Sequence, residues 1–176
     1  MVELRLNLGC GKVPKAGFIN VDRLCLPGVD QQVDLFQFPW PWGDNSVDEI
    51  YASHLIEHIP HQVEGSQLDG FFAFFAECWR ILKPGAEITL IAPYGFSVGA
   101  MQDPTHTRFI VESTFSYLAQ VDDCNFDYQL PFTFRAKMLA LGIGNIWMPL
   151  NEGMPLGWIY QPNSIHSILC TLEAIK

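Results

Sequence analysis

The chain contains 176 residues, of which 49% are hydrophobic and 16% are charged. This balance excludes a disordered protein and supplies enough apolar side chains for a two-sided sheet in one domain, predicted over residues 1–176. Nineteen acidic residues against ten Lys and Arg give a net charge of −9, which disfavours non-specific binding to nucleic acid because phosphate backbones are also negative.

The apolar segments and the cysteines indicate the cellular compartment in which the protein is expected. Every apolar run is broken well before the roughly 18 residues of a membrane span, and residues 1–4 do not resemble a secretory signal. The five cysteines are scattered without CxxC spacing, so we expect free thiols rather than disulfides or a cysteine zinc site. We therefore expect a cytoplasmic protein without a membrane partner.

The first half of the chain predicts parallel strands joined by short connections. Short apolar runs predict strands at residues 5–8, 17–22, 32–35 and 47–52. The first strand runs directly into Gly9, Cys10 and Gly11, while the second and third carry Asp22 and Asp34 at or near their ends. An aromatic and proline cluster at 38–42 separates the third strand from the fourth.

The second half predicts one amphipathic helix, a fifth strand and an irregular region. Apolar side chains at helical spacing predict a helix over about residues 67–82, ended by Lys83-Pro84-Gly85, with its phenylalanines in the core. A strand is predicted at 87–92, loop and short helix at 93–120, and β-type runs near 126–130 and 165–172. Strands alternating with crossovers predict a Rossmann-like, doubly wound, mostly parallel α/β sheet with ligands at the carboxyl ends of its strands.

Residues at three of these strand ends suit a nucleoside cofactor. Gly-x-Gly directly after a strand lets the chain turn sharply and lets a ligand approach the main chain. Asp22 can accept hydrogen bonds from ribose hydroxyls, and Asp34 can accept one from the adenine amine. The third glycine of dinucleotide loops is replaced by Lys12-Val13-Pro14, which leaves little room for the long helix that binds a pyrophosphate. The pattern therefore favours a cofactor without phosphate.

Five ordered segments extend this pattern. They are LNLGCG at 6–11, INVD at 19–22, DNSVDEI at 44–50, SHLIEH at 53–58 and RILKPG at 80–85. Together they resemble the class I S-adenosylmethionine-dependent methyltransferases. The resemblance implies a seven-stranded sheet with an antiparallel last strand, S-adenosyl-L-methionine as cofactor, and methyl transfer to an unidentified small molecule, glycan or macromolecule. It places Gly9, Cys10 and Gly11 at the amino-acid end of the cofactor, Asp22 on the ribose, Asp34 and Leu35 near adenine, and Ser53 and His54 along the cofactor.

The acceptor side is predicted to lie after the fifth strand. Residues 103–108, DPTHTR, resemble a loop of a small methyltransferase subgroup often found in phages and sugar-modification clusters. His106 can take a proton from the acceptor while Asp103 orients the imidazole. Alternatively, both side chains cap a turn and satisfy backbone groups.

Other functions fit parts of the sequence. A binding or accessory protein that keeps the cofactor fold without turnover is compatible with every segment. A dinucleotide-dependent oxidoreductase fits less well, because this chain lacks the third glycine of the dinucleotide-binding loop. HxxEH at residues 54–58 also matches an inverted zinc-protease motif, with His54 and His58 as ligands and Glu57 as base. Because Pro60 interrupts the long helix that this motif needs, we predict no metal site and instead a helix that starts at His54 and covers the sheet.

Overall fold

A computed structural model describes residues 3–119, 130–150 and 165–176 of the chain. The strands form one sheet and are Arg5–Leu8 (β1), Ile19–Asp22 (β2), Gln31–Gln32 (β3), Val47–Ser53 (β4), Leu82–Pro93 (β5), Thr133–Ile143 (β6), Ile146–Pro149 (β7) and Ser167–Ile175 (β8). The helices are Gly70–Ile81 (α1), Val98–Gln102 (α2) and Ser116–Ala119 (α3), with 3₁₀ turns at Ile56–His58 and Glu112–Phe115. None of the helices within these ranges is long and apolar enough to cross a membrane.

The order of the strands places a topological switch point beside the glycine loop. Across the sheet the strands run β3-β2-β1-β4-β5-β8-β6-β7, and the strands from β3 to β5 pair in parallel. The chain therefore grows from β1 toward β3 and then returns to β4 on the other side of β1. This reversal leaves a crevice at the carboxyl ends of β1 and β4, where ligands bind in open α/β sheets.

The other half of the sheet is antiparallel. Strand β8 covers the run expected at 165–172 and pairs antiparallel with both β5 and β6, so the predicted antiparallel last strand is present. In the part of the chain that the structure describes, the sheet has eight strands rather than the expected seven, because β6 turns into β7 through a two-residue hairpin at Gly144 and Asn145. Gly144 has φ +57°, which glycine adopts without strain. The strand expected at 126–130 lies almost entirely outside the described residues.

Two predicted boundaries are wrong. The strand expected at 32–35 is only Gln31–Gln32, both exposed at the edge of the sheet, so Asp34 follows the strand instead of ending it. Residues 83–85 do not form a stop after α1 but lie inside β5. The reason is that Leu82 already has extended torsions, with φ −63° and ψ 141°, so the helix passes directly into the strand.

The aromatic face of α1 packs into the core, as its helical spacing predicted. Phe74 and Phe75 are fully buried, and the Asp69 carboxylate caps the helix by accepting a hydrogen bond from Phe71 N at 2.9 Å. The Trp40 ring packs edge-on against Phe74 with ring centroids 5.4 Å apart. Since burying a side chain of this size contributes about 1.5–3 kcal/mol, packing against the sheet accounts for the phenylalanine stripe.

One charged side chain of α1 is buried in a polar network. Glu77 accepts hydrogen bonds from Trp40 N at 2.6 Å and from Nε and Nη2 of Arg80 at 2.9 and 2.5 Å. The guanidinium also donates to the Asp44 carboxylate at 2.6 Å and to Trp42 O at 2.9 Å. The neighbouring Glu77 carboxylate, followed by Asp44, raises the pKa of Arg80. This network ties the segment before β4 to the helix.

Candidate functional site

The loop between β1 and β2 exposes main chain to the crevice. Gly9 has φ +66° and Gly11 has φ +53°, the left-handed conformation that favours glycine. A Cβ atom at Gly9 would lie 2.8 Å from Cδ1 of Leu55, so a larger residue would displace that side chain. Cys10 N donates to Val21 O at 3.0 Å and fixes the turn onto β2. Gly9 lines the crevice, and Leu55 occupies the space that a Cβ atom at Gly9 would need.

Two carboxylates follow the neighbouring strands. Oδ2 of Asp22 accepts a hydrogen bond from Gly11 N at 2.8 Å, and its Oδ1 accepts one from Leu24 N at 2.9 Å. Oδ1 of Asp34 accepts a hydrogen bond from Phe36 N at 3.0 Å. Because an ionised carboxylate has about four lone-pair sites, both side chains keep the capacity to accept further hydrogen bonds from hydroxyl or amine groups.

His54 follows β4 in a strained backbone conformation. Its φ is +55°, which is uncommon for a residue other than glycine, and its N–H donates to Ile91 O at 2.8 Å. Nδ1 of His54 lies 3.4 Å from Oε1 of Glu57. The Glu57 carboxylate raises the pKa of His54, and partial burial of the imidazole opposes this effect. Strained residues of this kind concentrate at functional sites.

The helix predicted to start at His54 does not form. Only the 3₁₀ turn Ile56–His58 follows β4. Ile59 has φ −63° and ψ 119°, the extended conformation that a residue before proline favours, so Pro60 stops the turn. As a result, His54 and His58 do not lie on a common helix, which the HxxEH zinc motif requires.

The strand ends enclose a cavity of about 410 Å³, within the size range of small-molecule sites. It is lined by Gly9, Asp22, Arg23, Leu24, Val33, Asp34, Leu35, Phe36, His54, Leu55, His58 and Thr105. Among the residues predicted to bind the cofactor, the structure brings together Gly9, Asp22, Asp34, Leu35 and His54, whereas Cys10, Gly11 and Ser53 adjoin these residues in sequence without lining the cavity. The predicted site residues therefore converge on one place in the fold.

His106 lies in the loop after α2 and does not itself line the cavity. Its side chain is 7% exposed, and its Nδ1 donates a hydrogen bond to Ala100 O at 2.8 Å. Oδ2 of Asp103 is 3.9 Å from Nε2 of His106, which is too long for a hydrogen bond. Asp103 instead accepts hydrogen bonds from the hydroxyl and the N–H of Thr105 at 2.7 and 2.8 Å, and these bonds lower its pKa. The backbone, rather than Asp103, therefore orients the imidazole.

Seven of the twelve residues of the cavity wall were not predicted to bind the cofactor, and His58 and Thr105 are two of them. His58 and Thr105 face each other, with Nδ1 of His58 lying 3.0 Å from Oγ1 of Thr105. The His58 ring also packs edge-on against His106, with ring centroids 4.7 Å apart. Both residues belong to segments that the sequence singled out, SHLIEH and DPTHTR, but only the fold places these two segments side by side.

Arg108 fastens the loop that carries His106 to the cavity wall. Its guanidinium donates to Ile59 O at 2.9 Å and to Pro60 O at 3.1 Å, and it lies 2.8 Å from the Asp69 carboxylate that caps α1. The Arg108 side chain is largely buried, so these bonds are shielded from water. No role was predicted for Arg108, because its partners are two backbone carbonyls and a carboxylate from distant segments of the chain.

Solved structures of other proteins share this fold. The chain aligns with an S-adenosylmethionine-dependent methyltransferase from Archaeoglobus fulgidus at a TM-score of 0.61 and 14% identity, over 97% of this chain and 86% of that one. A methyltransferase from Mesorhizobium loti aligns at 0.56 and 11% identity, over 98% and 92% of the two chains. The cyclase SpnF aligns at 0.56 and 12% identity, over 98% and 75%. No protein-family model and no curated protein sequence matches the chain.

These likenesses define the fold of the chain as the Rossmann-like fold of S-adenosylmethionine-dependent methyltransferases. Because a cyclase has the same fold, the architecture alone does not specify the reaction. The function therefore has to be argued from the residues that line the cavity.

Proposed function

We propose that this protein transfers a methyl group from S-adenosyl-L-methionine to an acceptor, which is a small molecule, a glycan or a macromolecule. The observation that carries the proposal is the cavity at the switch point of the sheet, where Gly9, Asp22 and Asp34 are brought together. The cavity is large enough for a nucleoside, and its wall combines the backbone of Gly9 with two carboxylates that can bind hydroxyl and amine groups. The methyltransferases that share the fold support the same assignment.

The connection from β1 to β2 favours this cofactor over a dinucleotide. Residues 9–18 form turns and contain no helix. The glycine loop is therefore not followed by the helix amino terminus that binds a pyrophosphate. S-adenosylmethionine has no phosphate, so the residues that are present fit it better than they fit NAD or FAD.

The residues of the chain divide between parts of the cofactor. We assign Asp22 to the ribose hydroxyls, Asp34 and Leu35 to adenine, Gly9, Cys10 and Gly11 to the amino-acid end, and Ser53 and His54 to the remaining wall. When bound, the cofactor supplies an electrophilic methyl group on a sulfonium. The protein then contributes mainly by orienting the acceptor nucleophile and by excluding water from the site.

On the acceptor side we propose His106 as the proton acceptor, with Asp103 supporting the loop. Because Nδ1 of His106 donates to Ala100 O, the neutral imidazole keeps a lone pair on Nε2. A base is required only when the acceptor loses a proton during transfer. The DPTHTR loop also supports placing the chain in the subgroup associated with phages and sugar-modification clusters.

S-adenosylhomocysteine is expected to raise the melting temperature of the protein, whereas NAD is not. A ligand that binds only the native state stabilises it by mass action, by about 2.7 kcal/mol at 100 times its Kd. Differential scanning fluorimetry with each ligand at the same concentration measures the effect. A rise in melting temperature with NAD alone would contradict the proposed cofactor. Binding of S-adenosylhomocysteine without any transfer activity would identify an accessory protein.

Replacing Asp22 by alanine is expected to weaken binding of S-adenosylhomocysteine by about 1–3 kcal/mol, roughly 5- to 150-fold, because hydrogen bonds to a charged acceptor are lost. Calorimetry on folded protein measures the affinity. Asp22→Asn keeps one oxygen acceptor and serves as the matched control, with a smaller loss expected. Since Asp22 also holds Gly11 N and Leu24 N, the melting temperature of each ligand-free variant is measured in parallel. Unchanged affinity in Asp22→Ala would move the ribose site elsewhere.

A further inference from the structure

Three side chains with metal-binding atoms meet beside the cavity. They are the carboxylate of Glu57 and the imidazoles of His58 and His106, and one ligand atom from each lies within 4.8 Å of the others. Glu57 and His58 belong to the 3₁₀ turn, while His106 comes from the loop after α2. The backbone joins the two segments, because Thr107 N donates to Glu57 O at 2.9 Å. The cluster is therefore fixed by the fold and not by side-chain contacts alone.

Glu57 is a buried carboxylate with no hydrogen bond among the described residues. It is 1% exposed, and neither of its carboxylate oxygens has a hydrogen-bond partner there. Nδ1 of His54 lies 3.4 Å from Oε1; this contact is an ion pair only when the imidazole is protonated, and its geometry is not that of a hydrogen bond. An ionised carboxylate buried in this way is unfavourable unless a cation or several donors compensate it. A metal ion between Glu57 and the two histidines of the cluster would provide that compensation.

The hydrogen bonds of both histidines favour the tautomer that binds a cation through Nε2. Nδ1 of His106 donates to Ala100 O, which leaves the lone pair of the neutral ring on Nε2. The Thr105 hydroxyl donates to Asp103 at 2.7 Å, so its oxygen is available to accept a hydrogen bond from Nδ1 of His58 at 3.0 Å. Ligating histidines in metal sites are characteristically oriented by an outer hydrogen bond of this kind.

We propose that Glu57, His58 and His106 bind a divalent transition-metal ion of the zinc class. Two histidines with one carboxylate form a ligand set that binds zinc and leaves a coordination position open. Two ligand atoms on one tetrahedral zinc ion are about 3.4 Å apart, given the Zn–N distance of about 2.0–2.1 Å. Separations of up to 4.8 Å in the cluster therefore close when the side chains move together by about 1 to 1.5 Å. This proposal does not rest on the proposed methyl transfer, because metal binding is measured on the protein alone.

The proposed site differs from the zinc motif in the sequence, at which no metal was predicted. That motif pairs His54 with His58 on a helix, whereas in the structure the helix is absent and His106 takes the place of His54 in the cluster. His58 also lines the cavity, so an ion bound here would lie at its edge. Since a lone pair cannot hold a metal ion and accept a proton at once, metal-bound His106 would be a ligand and not a base.

Calorimetric titration of the chelator-treated full chain with Zn²⁺ is expected to show one ion bound per chain. Glu57→Gln, His58→Ala and His106→Ala are each expected to lower the affinity at least about 100-fold. Thr105→Val removes only an outer hydrogen bond and is expected to lower it roughly 10- to 100-fold. Visible absorption of the Co²⁺-loaded protein provides a second readout and is expected to respond to the same replacements.

His166→Ala is the control and is expected to keep the wild-type affinity, because His166 lies outside the cluster and its described hydrogen bonds involve only its backbone. Glu57→Gln preserves side-chain size, and His106→Gln provides a second variant if His106→Ala fails to fold by circular dichroism. Absence of stoichiometric Zn²⁺ binding, full affinity in His106→Ala, or loss of affinity in His166→Ala would overturn the proposal. The thermal shift with S-adenosylhomocysteine is unaffected by these outcomes, so the two proposals fail separately.

Discussion

A His106→Ala protein is expected to bind S-adenosylhomocysteine within about twofold of the wild-type affinity and to transfer methyl groups roughly 100- to 10,000-fold more slowly. Affinity is preserved because His106 does not line the cavity. The rate is expected to fall because the imidazole, held by Ala100 O and packed against His58, is the proposed proton acceptor. Calorimetry measures the affinity, and transfer from radiolabelled S-adenosylmethionine to the acceptor of the wild-type protein measures the rate.

The matched control for this prediction is His166→Ala, which removes an exposed imidazole whose described hydrogen bonds involve only its backbone. Full activity is expected for that variant. Comparing the activity of the chelator-treated and the Zn²⁺-loaded wild-type protein separates the two roles proposed for His106, because the imidazole can accept a proton only when its Nε2 lone pair holds no ion. Full activity of His106→Ala on an identified acceptor would show that His106 has only a structural role, as the hydrogen-bond donor to Ala100 O.

Glu77→Ala is expected to lower the free energy of unfolding by about 2–4 kcal/mol, slightly less than the usual cost of breaking a fully buried ion pair. The change leaves Trp40 N without its acceptor and removes the main partner of the Arg80 guanidinium. Because Arg80 is 27% exposed and keeps its bonds to Asp44 and Trp42, part of the loss is recovered. Urea unfolding measures the free energy.

Two further variants serve as comparisons for Glu77→Ala. Glu77→Gln keeps an oxygen for Trp40 N but loses the charge, so a smaller loss is expected. Glu64→Ala replaces an exposed glutamate and is expected to change the free energy of unfolding by less than about 0.5 kcal/mol. Equal stability of Glu77→Ala and Glu64→Ala would show that the buried network does not hold α1 to the segment before β4.

The parallel half of the fold was predictable because its signals are local. β1 is short and apolar, with Leu6 and Leu8 fully buried, and Gly9 marks its end. The acids after the neighbouring strands fall at the same edge of the sheet because parallel strands share their direction. The cofactor residues of the candidate site follow from these local signals, together with the resemblance to a family.

The remaining features depend on contacts between distant segments. The eighth strand required recognising Gly144 and Asn145 as a hairpin turn, and the absent helix after β4 required the extended conformation of Ile59 before Pro60. The meeting of His106 with the 3₁₀ turn is set by backbone bonds that span some fifty residues, which periodicity does not reveal. The meeting of His58, Thr105 and His106 could therefore be seen only in the fold.

The most direct measurement is a crystal structure of the protein with S-adenosylhomocysteine. We expect the ligand in the cavity at the ends of β1, β2 and β4, with the ribose hydroxyls on Asp22, adenine beside Asp34 and Leu35, and the amino-acid end against Gly9. Its sulfur is expected to face the side of His58 and Thr105. A ligand bound elsewhere, such as the separate cavity of about 360 Å³ next to Phe71 and Tyr117, would contradict the central claim.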